Sequence, residues 1–189
     1  MKMEPAPDVP VYGIVVEKDV DIPMRDGARL KADVFRPDDA GTFPAILNLG
    51  PYQKDKLWVP PGNLEEKPNP LMNWETVNPK WWVPKGYGAV RVDGRGSGKS
   101  PGECEPWSLA ESIDLYDAIE WAAAQPWCSG KVGLCGISYL PSTSGSSPII
   151  SRRHWRRSFP GKASPISTAT RCFTADCSAY SCRIGTWRI

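Results

Sequence analysis

Val-Gly-Leu-Cys-Gly-Ile-Ser-Tyr, at residues 132–139, is the stretch that decides the fold of this chain. Its first residues form an apolar run of the kind found in buried parallel strands, and the Gly-x-Ser that follows is typical of a tight turn from a strand into a helix. Such a turn lifts the serine hydroxyl clear of the backbone, toward a base that can remove its proton. The stretch therefore predicts Ser138 as a nucleophile. A solvent-facing serine in an ordinary strand-to-helix turn is the alternative interpretation.

The same turn brings the amide of the following residue, Tyr139, toward the carbonyl group under attack. A hydrogen-bond donor in that position stabilises the developing oxyanion by about 3 kcal/mol. The pattern implies no cofactor. No pair among the six cysteines has C-x-x-C spacing, so the sequence predicts neither a zinc site nor a disulfide framework.

Upstream of this turn, strands alternate with helices after an opening hairpin at Asp26-Gly27. We predict strands over 12–22, 29–35, 44–49, 87–92 and 131–135, and helices over 79–85 and 108–124. Ser108 can cap the longer helix with Glu111. Its predicted apolar stripe consists of Leu109, Ile113, Tyr116, Ile119 and Ala123. This order predicts an α/β fold around a mostly parallel sheet, with residues 56–80 as a long irregular excursion.

Three features follow the ends of predicted strands: Tyr52, the glycine-rich loop 94–98, and Ser138. In α/β sheets, binding and catalytic sites lie at the carboxyl ends of the strands. We therefore expect these features to converge on one edge of the sheet.

Several motifs at consistent spacing carry a family resemblance. They are Ile-Pro-Met-Arg-Asp-Gly at 22–27, Ala-Asp-Val-Phe-Arg-Pro at 32–37, Pro-Tyr at 51–52, Asp-Gly-Arg-Gly-Ser-Gly at 93–98, Ser-Pro-Gly at 100–102 and Gly-Ile-Ser-Tyr-Leu at 136–140. On these motifs, residues 20–140 resemble the catalytic domain of the X-Pro dipeptidyl-peptidase and cocaine-esterase (CocE/NonD) hydrolases, which have the α/β-hydrolase fold.

The resemblance implies a small-molecule ester or a peptide as substrate and an acyl intermediate on Ser138. It also implies an oxyanion hole made by the Tyr139 amide and the Tyr52 hydroxyl; packing at a loop start is the alternative role for Tyr52. Family members have a helical cap, a C-terminal jelly-roll domain, and a triad acid and histidine far downstream. A chain of 189 residues is too short for these parts, so we expect an inactive N-terminal fragment.

The amino-acid composition and the net charge of the chain change after residue 140. Residues 1–140 carry 15 Lys and Arg against 20 Asp and Glu, whereas residues 141–189 carry 8 against 1. The second segment holds ten serines and no Leu, Val or Glu, so it has little from which to build a core. We therefore divide the chain into 1–140, the N-terminal part of a catalytic domain, and 141–189, which we interpret as frameshifted or otherwise non-native and disordered. A genuine disordered basic tail is the alternative.

Three other kinds of site can be compared with the sequence. A triad of Ser138, His154 and Asp176 has the right residue types, but arginines flank this histidine and disfavour the imidazolium that a triad needs. The cluster Arg-Arg-His-Trp-Arg-Arg at 152–157 is suited to nucleic acid or an anionic surface, although nothing else in the chain predicts a nucleic-acid-binding fold. Gly98-Lys99-Ser100 misses the P-loop pattern, because its first glycine would have to stand at Asp93.

The N-terminal residues have no apolar leader, and no run approaches the length of about 18 apolar residues that a membrane span needs. The sequence therefore predicts a cytoplasmic protein without a membrane partner.

Overall fold

The computed structural model describes residues 11–55, 68–73 and 76–135. Its elements are β1 (Ile14–Pro23), β2 (Arg29–Pro37), β3 (Phe43–Gly50), α1 (Pro79–Trp82), a 3₁₀ turn (Val83–Lys85), β4 (Gly88–Asp93), α2 (Leu109–Ala123) and β5 (Cys128–Leu134). Every predicted strand and helix of these ranges is present, with ends that move by at most three residues. No helix in these ranges combines the length and the apolar character that crossing a bilayer requires.

The five strands form one sheet in the order β1-β2-β4-β3-β5. The β1–β2 and β2–β4 pairs are antiparallel, and β3 lies between β4 and β5, parallel to both. Within the described ranges the sheet is thus mixed: an opening antiparallel hairpin is joined to a three-stranded parallel half. The carboxyl ends of β4, β3 and β5 consequently lie next to one another.

The larger core lies between the sheet and α2. Alternate residues of β2, β3 and β4 point to this face, as the twofold period of a strand requires. The strand residues buried there include Leu30, Ala32, Val34, Ala45, Leu47, Leu49, Val90 and Val92. They pack against Leu115, Ala118, Ile119 and Ala122 of α2.

The start of α2 is fixed by the predicted capping residues. The Glu111 amide donates to the Ser108 hydroxyl at 3.1 Å, and the Trp107 amide donates to the Glu111 carboxylate at 2.8 Å. The predicted apolar stripe is partly wrong, because Leu109 is 60% exposed and the buried face instead includes Asp114. A tertiary ion pair with Arg95 explains how this face accepts a carboxylate.

The opposite face of the sheet carries α1 and the 3₁₀ turn. A smaller core forms there from Phe35 and Ala89 of the sheet with Val77, Trp82 and Val83.

Arg91, buried on the same face of β4, ties the irregular chain before α1 to the sheet. Its guanidinium donates to the carbonyl oxygens of Leu71 at 2.6 Å and of Val77 at 2.8 Å. Burial lowers the pKa of Arg91 to about 10, although the nearby Asp33 carboxylate acts in the opposite direction. The guanidinium therefore stays charged at neutral pH and anchors this excursion.

Candidate active site

The carboxyl ends of β3 and β4 lie side by side at one edge of the sheet. Gly50, the last residue of β3, pairs with Asp93, the last residue of β4. The Gly94 amide donates to the Gly50 carbonyl oxygen at 2.9 Å, and a Cβ atom at residue 94 would lie 3.2 Å from that oxygen. Glycine at 94 thus permits the close approach, and the loop that carries Tyr52 starts next to the glycine-rich loop.

The third parallel strand, β5, leads the chain toward Ser138. Leu134 pairs with Leu47, and the Cys135 amide donates to the Leu47 carbonyl oxygen at 3.3 Å. The chain therefore runs beside β3 until three residues before Ser138. Both Ser138 and Tyr139 lie outside the described residues, as do the residues of the competing hypotheses, His154, Asp176 and the basic cluster 152–157.

The glycine-rich loop after β4 is closed by hydrogen bonds of its own serines. The Ser97 hydroxyl donates to the Gly94 carbonyl oxygen at 2.8 Å, and the Ser100 hydroxyl donates to the Asp93 carbonyl oxygen at 2.7 Å. The Ser100 oxygen also accepts from the Lys31 amide of β2 at 2.9 Å. The loop is therefore tied to two strands of the sheet.

The carboxylate of Asp93 joins the two loops. It is fully buried and accepts from the Lys54 amide at 2.6 Å and from the Lys99 amide at 2.9 Å. Gly98 has a φ of 53°, and a Cβ atom there would collide with the Asp93 carboxylate. Because Lys54 follows β3 and Lys99 follows β4, one buried side chain connects both loops.

Tyr52 lies half-buried in the middle of the short loop after β3. The next residue, Gln53, has a φ of 66°, in the left-handed region. The Asn73 side-chain amide donates to the carbonyl oxygens of Gln53 and Lys54, each at 2.9 Å. The backbone that carries Tyr52 is therefore also held by the segment 68–73.

Six charged side chains, the lysine–aspartate cluster, surround the far end of this loop: Lys18, Asp19, Asp33, Lys54, Asp55 and Lys99. The Lys54 ammonium is fully buried at its centre, 2.5 Å from Asp19, 3.1 Å from Asp33 and 3.5 Å from Asp55. The Lys99 ammonium lies 2.7 Å from Asp19 and 3.2 Å from Asp55, and Lys18 contacts Asp33.

These contacts shift the pKa values of Asp19 and Lys54 in opposite directions. Hydrogen bonds from Lys54 and Lys99 lower the pKa of Asp19 to about 2. Burial by itself lowers the pKa of Lys54, but its hydrogen bonds to Asp19 and Asp33 outweigh burial and leave this pKa above its usual value. Lys54 therefore stays protonated at neutral pH and cannot act as a general base. Within the described ranges, no group of acidic, histidine or cysteine side chains is placed to hold a metal ion.

A β-bulge in β1 brings Asp19 into the cluster. The pairing of β1 with β2 shifts between Glu17 and Val20, and Asp19 has a φ of 56°. Aspartate adopts this conformation more readily than most residues. The Asp19 amide donates to the Asp33 carboxylate at 3.1 Å. The bulge thus turns a carboxylate of the edge strand toward the loop after β3.

Arg95 ties the glycine-rich loop to α2 and to the opening hairpin. Its guanidinium donates to the two Asp114 carboxylate oxygens at 2.9 and 2.7 Å, and it lies 2.9 Å from Asp26. A cavity of about 330 Å³ opens beside Arg95, Pro51 and Gly94. The cavity therefore adjoins the start of both loops, at the edge where the sequence predicts the site.

The amino-acid sequence of the chain matches a known protein family. Residues 26–145 match the model of the X-Pro dipeptidyl-peptidase (S15) family. The chain belongs to the S15 family. The resemblance predicted from the motifs is thereby confirmed.

Individual S15 relatives agree with this assignment. Cocaine esterase from Rhodococcus sp. (strain MB1 Bresler) is 35% identical over 136 residues, which cover 71% of this chain and 21% of that protein. A solved CocE/NonD family hydrolase from Staphylococcus aureus is 40% identical, with a TM-score of 0.63 over 69% of this chain and 24% of its own. An α-amino acid ester hydrolase is 27% identical, with a TM-score of 0.54 over 75% of this chain and 24% of its own.

These structures confirm the predicted α/β-hydrolase fold. The chain spans between a fifth and a quarter of the length of these relatives. The predicted division at residue 140 lies outside the described residues and stays a prediction.

Lys54 and Asp33 belong to this site but were not predicted from the sequence. A lysine in a loop is usually solvated, and nothing in the sequence around Lys54 indicates burial. Asp33 gave no signal either, because in a strand of period two it takes the polar position between Ala32 and Val34. A buried carboxylate needs a partner, and here the partners are lysines from two separate segments, Lys18 of β1 and Lys54 of the loop after β3.

Proposed function

We propose that this chain carries the nucleophile and the oxyanion-binding half of a serine hydrolase site that transfers an acyl group from an ester or an X-Pro amide to water. The observation that carries the proposal is the arrangement of the parallel strand ends. The loop with Tyr52 lies after the middle strand, β3, and β5 runs beside β3 toward Ser138. This is the edge at which α/β sheets place their catalytic groups.

In the proposed reaction, the Ser138 hydroxyl oxygen attacks the substrate carbonyl carbon and gives its proton to a base. The negative charge that develops on the carbonyl oxygen is stabilised by the Tyr139 amide and the Tyr52 hydroxyl, each by about 3 kcal/mol. The tetrahedral intermediate collapses, and the bond to the alcohol or amine breaks as the leaving group takes the proton. Water then attacks the acyl-Ser138 ester and releases the acid.

The names of the relatives support both substrate classes. The family is named for X-Pro dipeptidyl-peptidases, whereas the similar proteins include a cocaine esterase and an ester hydrolase. The reacting group is a carbonyl with an oxygen or nitrogen leaving group in each class, so one oxyanion site serves both.

A second candidate is a chain that does not turn over substrate and binds nucleic acid or an anionic surface through residues 152–157. The observation that favours it is the composition of residues 141–189, where the chain's only histidine stands among four arginines. Such binding weakens as salt increases, because lysine and arginine contacts release counterions. A shift of labelled DNA at low salt that disappears on deletion of residues 141–189 supports this candidate, and no shift at low salt excludes it.

The hydrolase proposal is tested by reaction of the purified chain with a fluorophosphonate, which phosphonylates an activated serine. We expect a single labelling event per chain, without turnover of an ester substrate, that is lost in Ser138→Ala and retained in the control Ser142→Ala. Because Tyr52 supplies one oxyanion donor, we expect Tyr52→Phe to slow labelling about 100-fold. Tyr87→Phe, which keeps the ring contact with Trp82, leaves the rate unchanged. Failure of the folded chain to label, or equal labelling in Ser138→Ala, contradicts the proposal.

A further inference from the structure

The loop between β3 and the cluster is held at both of its ends, although it has no regular secondary structure. Gly50 accepts a hydrogen bond from Gly94 at 2.9 Å, and Lys54 donates to Asp93 at 2.6 Å. Tyr52 lies midway, two residues from each anchor. These two anchors therefore restrain the backbone of Tyr52 from both sides.

The anchor at Asp93 is a charge-assisted one. Its carboxylate accepts from two backbone amides, Lys54 and Lys99, while being fully buried. Hydrogen bonds to an ionised acceptor are shorter and about twice as strong as those between neutral groups. Asparagine at this position has only one side-chain oxygen, so one of the two amides would face an NH₂ group.

Lys54 is fixed by its side chain as well as by its backbone amide. Its ammonium is fully buried and lies within 3.5 Å of carboxylates from β1, from β2 and from the adjacent residue, Asp55. A surface lysine would swing freely on its four-carbon stem, whereas this one is fixed by contacts on several sides. Lys54 is thus held through both its amide and its side chain.

We propose that Asp93 and Lys54 are positioning residues that fix the Tyr52 hydroxyl in its orientation toward the substrate carbonyl. This inference rests on the proposed oxyanion role of Tyr52. Neither residue touches the reacting atoms. Asp93 acts through the Lys54 backbone, and Lys54 acts through the two peptide bonds that connect it to Tyr52 by way of Gln53.

The first arm of the test does not need turnover. A 3-fluorotyrosine placed at residue 52 of the full chain reports its surroundings by ¹⁹F NMR. In the wild-type chain we expect one narrow resonance, displaced from that of the urea-unfolded chain. In Asp93→Asn and in Lys54→Met we expect this resonance to broaden or to move toward the unfolded position.

The matched control is Lys99→Met. Lys99 contacts two of the three aspartates that surround Lys54, Asp19 and Asp55, and the hydrogen bond from its amide to Asp93 does not involve its side chain. Its side chain is half-exposed and it belongs to the other loop. The resonance is expected to be unchanged. If Asp93→Asn fails to fold, Lys54→Met alone decides this arm, because it leaves every backbone hydrogen bond in place.

The second arm measures the fluorophosphonate labelling rate in a double-mutant cycle. If Asp93 acts through Tyr52, Asp93→Asn slows labelling at least tenfold in the wild-type background but less than twofold in the Tyr52→Phe background. Equal slowing in both backgrounds overturns the proposal, and so does an unchanged resonance in Asp93→Asn and Lys54→Met. If no variant labels, or if Tyr52→Phe has no effect, the hydrolase proposal has failed and the resonance alone decides whether these residues position Tyr52.

Discussion

Replacing Arg95 with methionine removes the partner of a buried carboxylate. The Asp114 side chain is only 3% exposed, and both of its oxygens accept from the Arg95 guanidinium, at 2.9 and 2.7 Å. Methionine keeps much of the aliphatic stem but has no donor. The variant therefore leaves the buried Asp114 carboxylate without the two hydrogen bonds that the guanidinium donates.

The expected loss follows from this burial. Removing one partner of a buried ion pair costs about 3–5 kcal/mol. The Arg95 side chain is 23% exposed, so water reaches one side of the pair and the lower end of that range applies. We expect Arg95→Met to lower the free energy of unfolding by about 3 kcal/mol, a large part of the about 5–15 kcal/mol that holds a domain folded.

Urea unfolding followed by tryptophan fluorescence measures this loss. The matched control is Arg25→Met, because Arg25 also forms a two-pronged contact with an acid of α2, Asp117, but is half-exposed. We expect the free energy of unfolding to fall much less in Arg25→Met than in Arg95→Met. The double variant Arg95→Met/Asp114→Leu should recover most of the stability, since it also removes the buried charge. Equal losses in Arg95→Met and Arg25→Met would refute the argument from burial.

Three further predictions follow from the same structure. Since the pKa of Asp19 is about 2 in the folded protein and near 4 in an unfolded chain, its stabilisation is complete above about pH 4 and is lost as the pH falls through 2. Asp19→Asn should therefore flatten the decrease of unfolding free energy between about pH 4 and pH 2, and an unchanged slope contradicts this. Asn48 is 3% exposed, and neither of its side-chain polar atoms has a hydrogen-bond partner within the described part of the chain; Asn48→Leu should raise the free energy of unfolding in urea by about 1 kcal/mol, and a loss of stability refutes the reasoning. Gly98→Ala should cost about 2 kcal/mol more than Gly27→Ala in thermal unfolding, because both residues have positive φ but only at 98 does a Cβ atom meet Asp93, while residue 27 has open space around it. Equal losses of stability in Gly98→Ala and Gly27→Ala would show that backbone strain, and not the contact with Asp93, accounts for the cost at both positions.

The strands and the long helix could be predicted because their signals are local. In β2, Leu30, Ala32 and Val34 alternate with more polar residues, and all three are buried on the face toward α2. At the start of α2, Ser108 and Glu111 have the capping-box spacing, and the hydrogen bond is present. The order of these elements then limits the topology, because parallel strands need a crossover between them.

The charged part of the site could not be predicted because its partners are distant in sequence. Lys54 meets Asp19 and Asp33, 35 and 21 residues away, and neither separation leaves a periodic signal. The same limit explains the error on α2. Asp114 counts as a surface residue by its type, and only the contact with Arg95, 19 residues earlier, allows the helix to bury it.

In the glycine-rich loop, the Asp93 carboxylate determines both how soon the chain turns back, at Lys99, and that residue 98 is glycine. For Asp93 to accept from the Lys99 amide, the chain must turn back over the carboxylate, and only glycine at 98 leaves room for it. The Lys99 ammonium is directed to Asp19 and Asp55. A P-loop lysine would instead need to reach a phosphate. Since Asp93 also holds the Lys54 amide, a change at residue 98 should be transmitted to the loop of Tyr52, although residues 52 and 98 are more than 40 positions apart in the sequence.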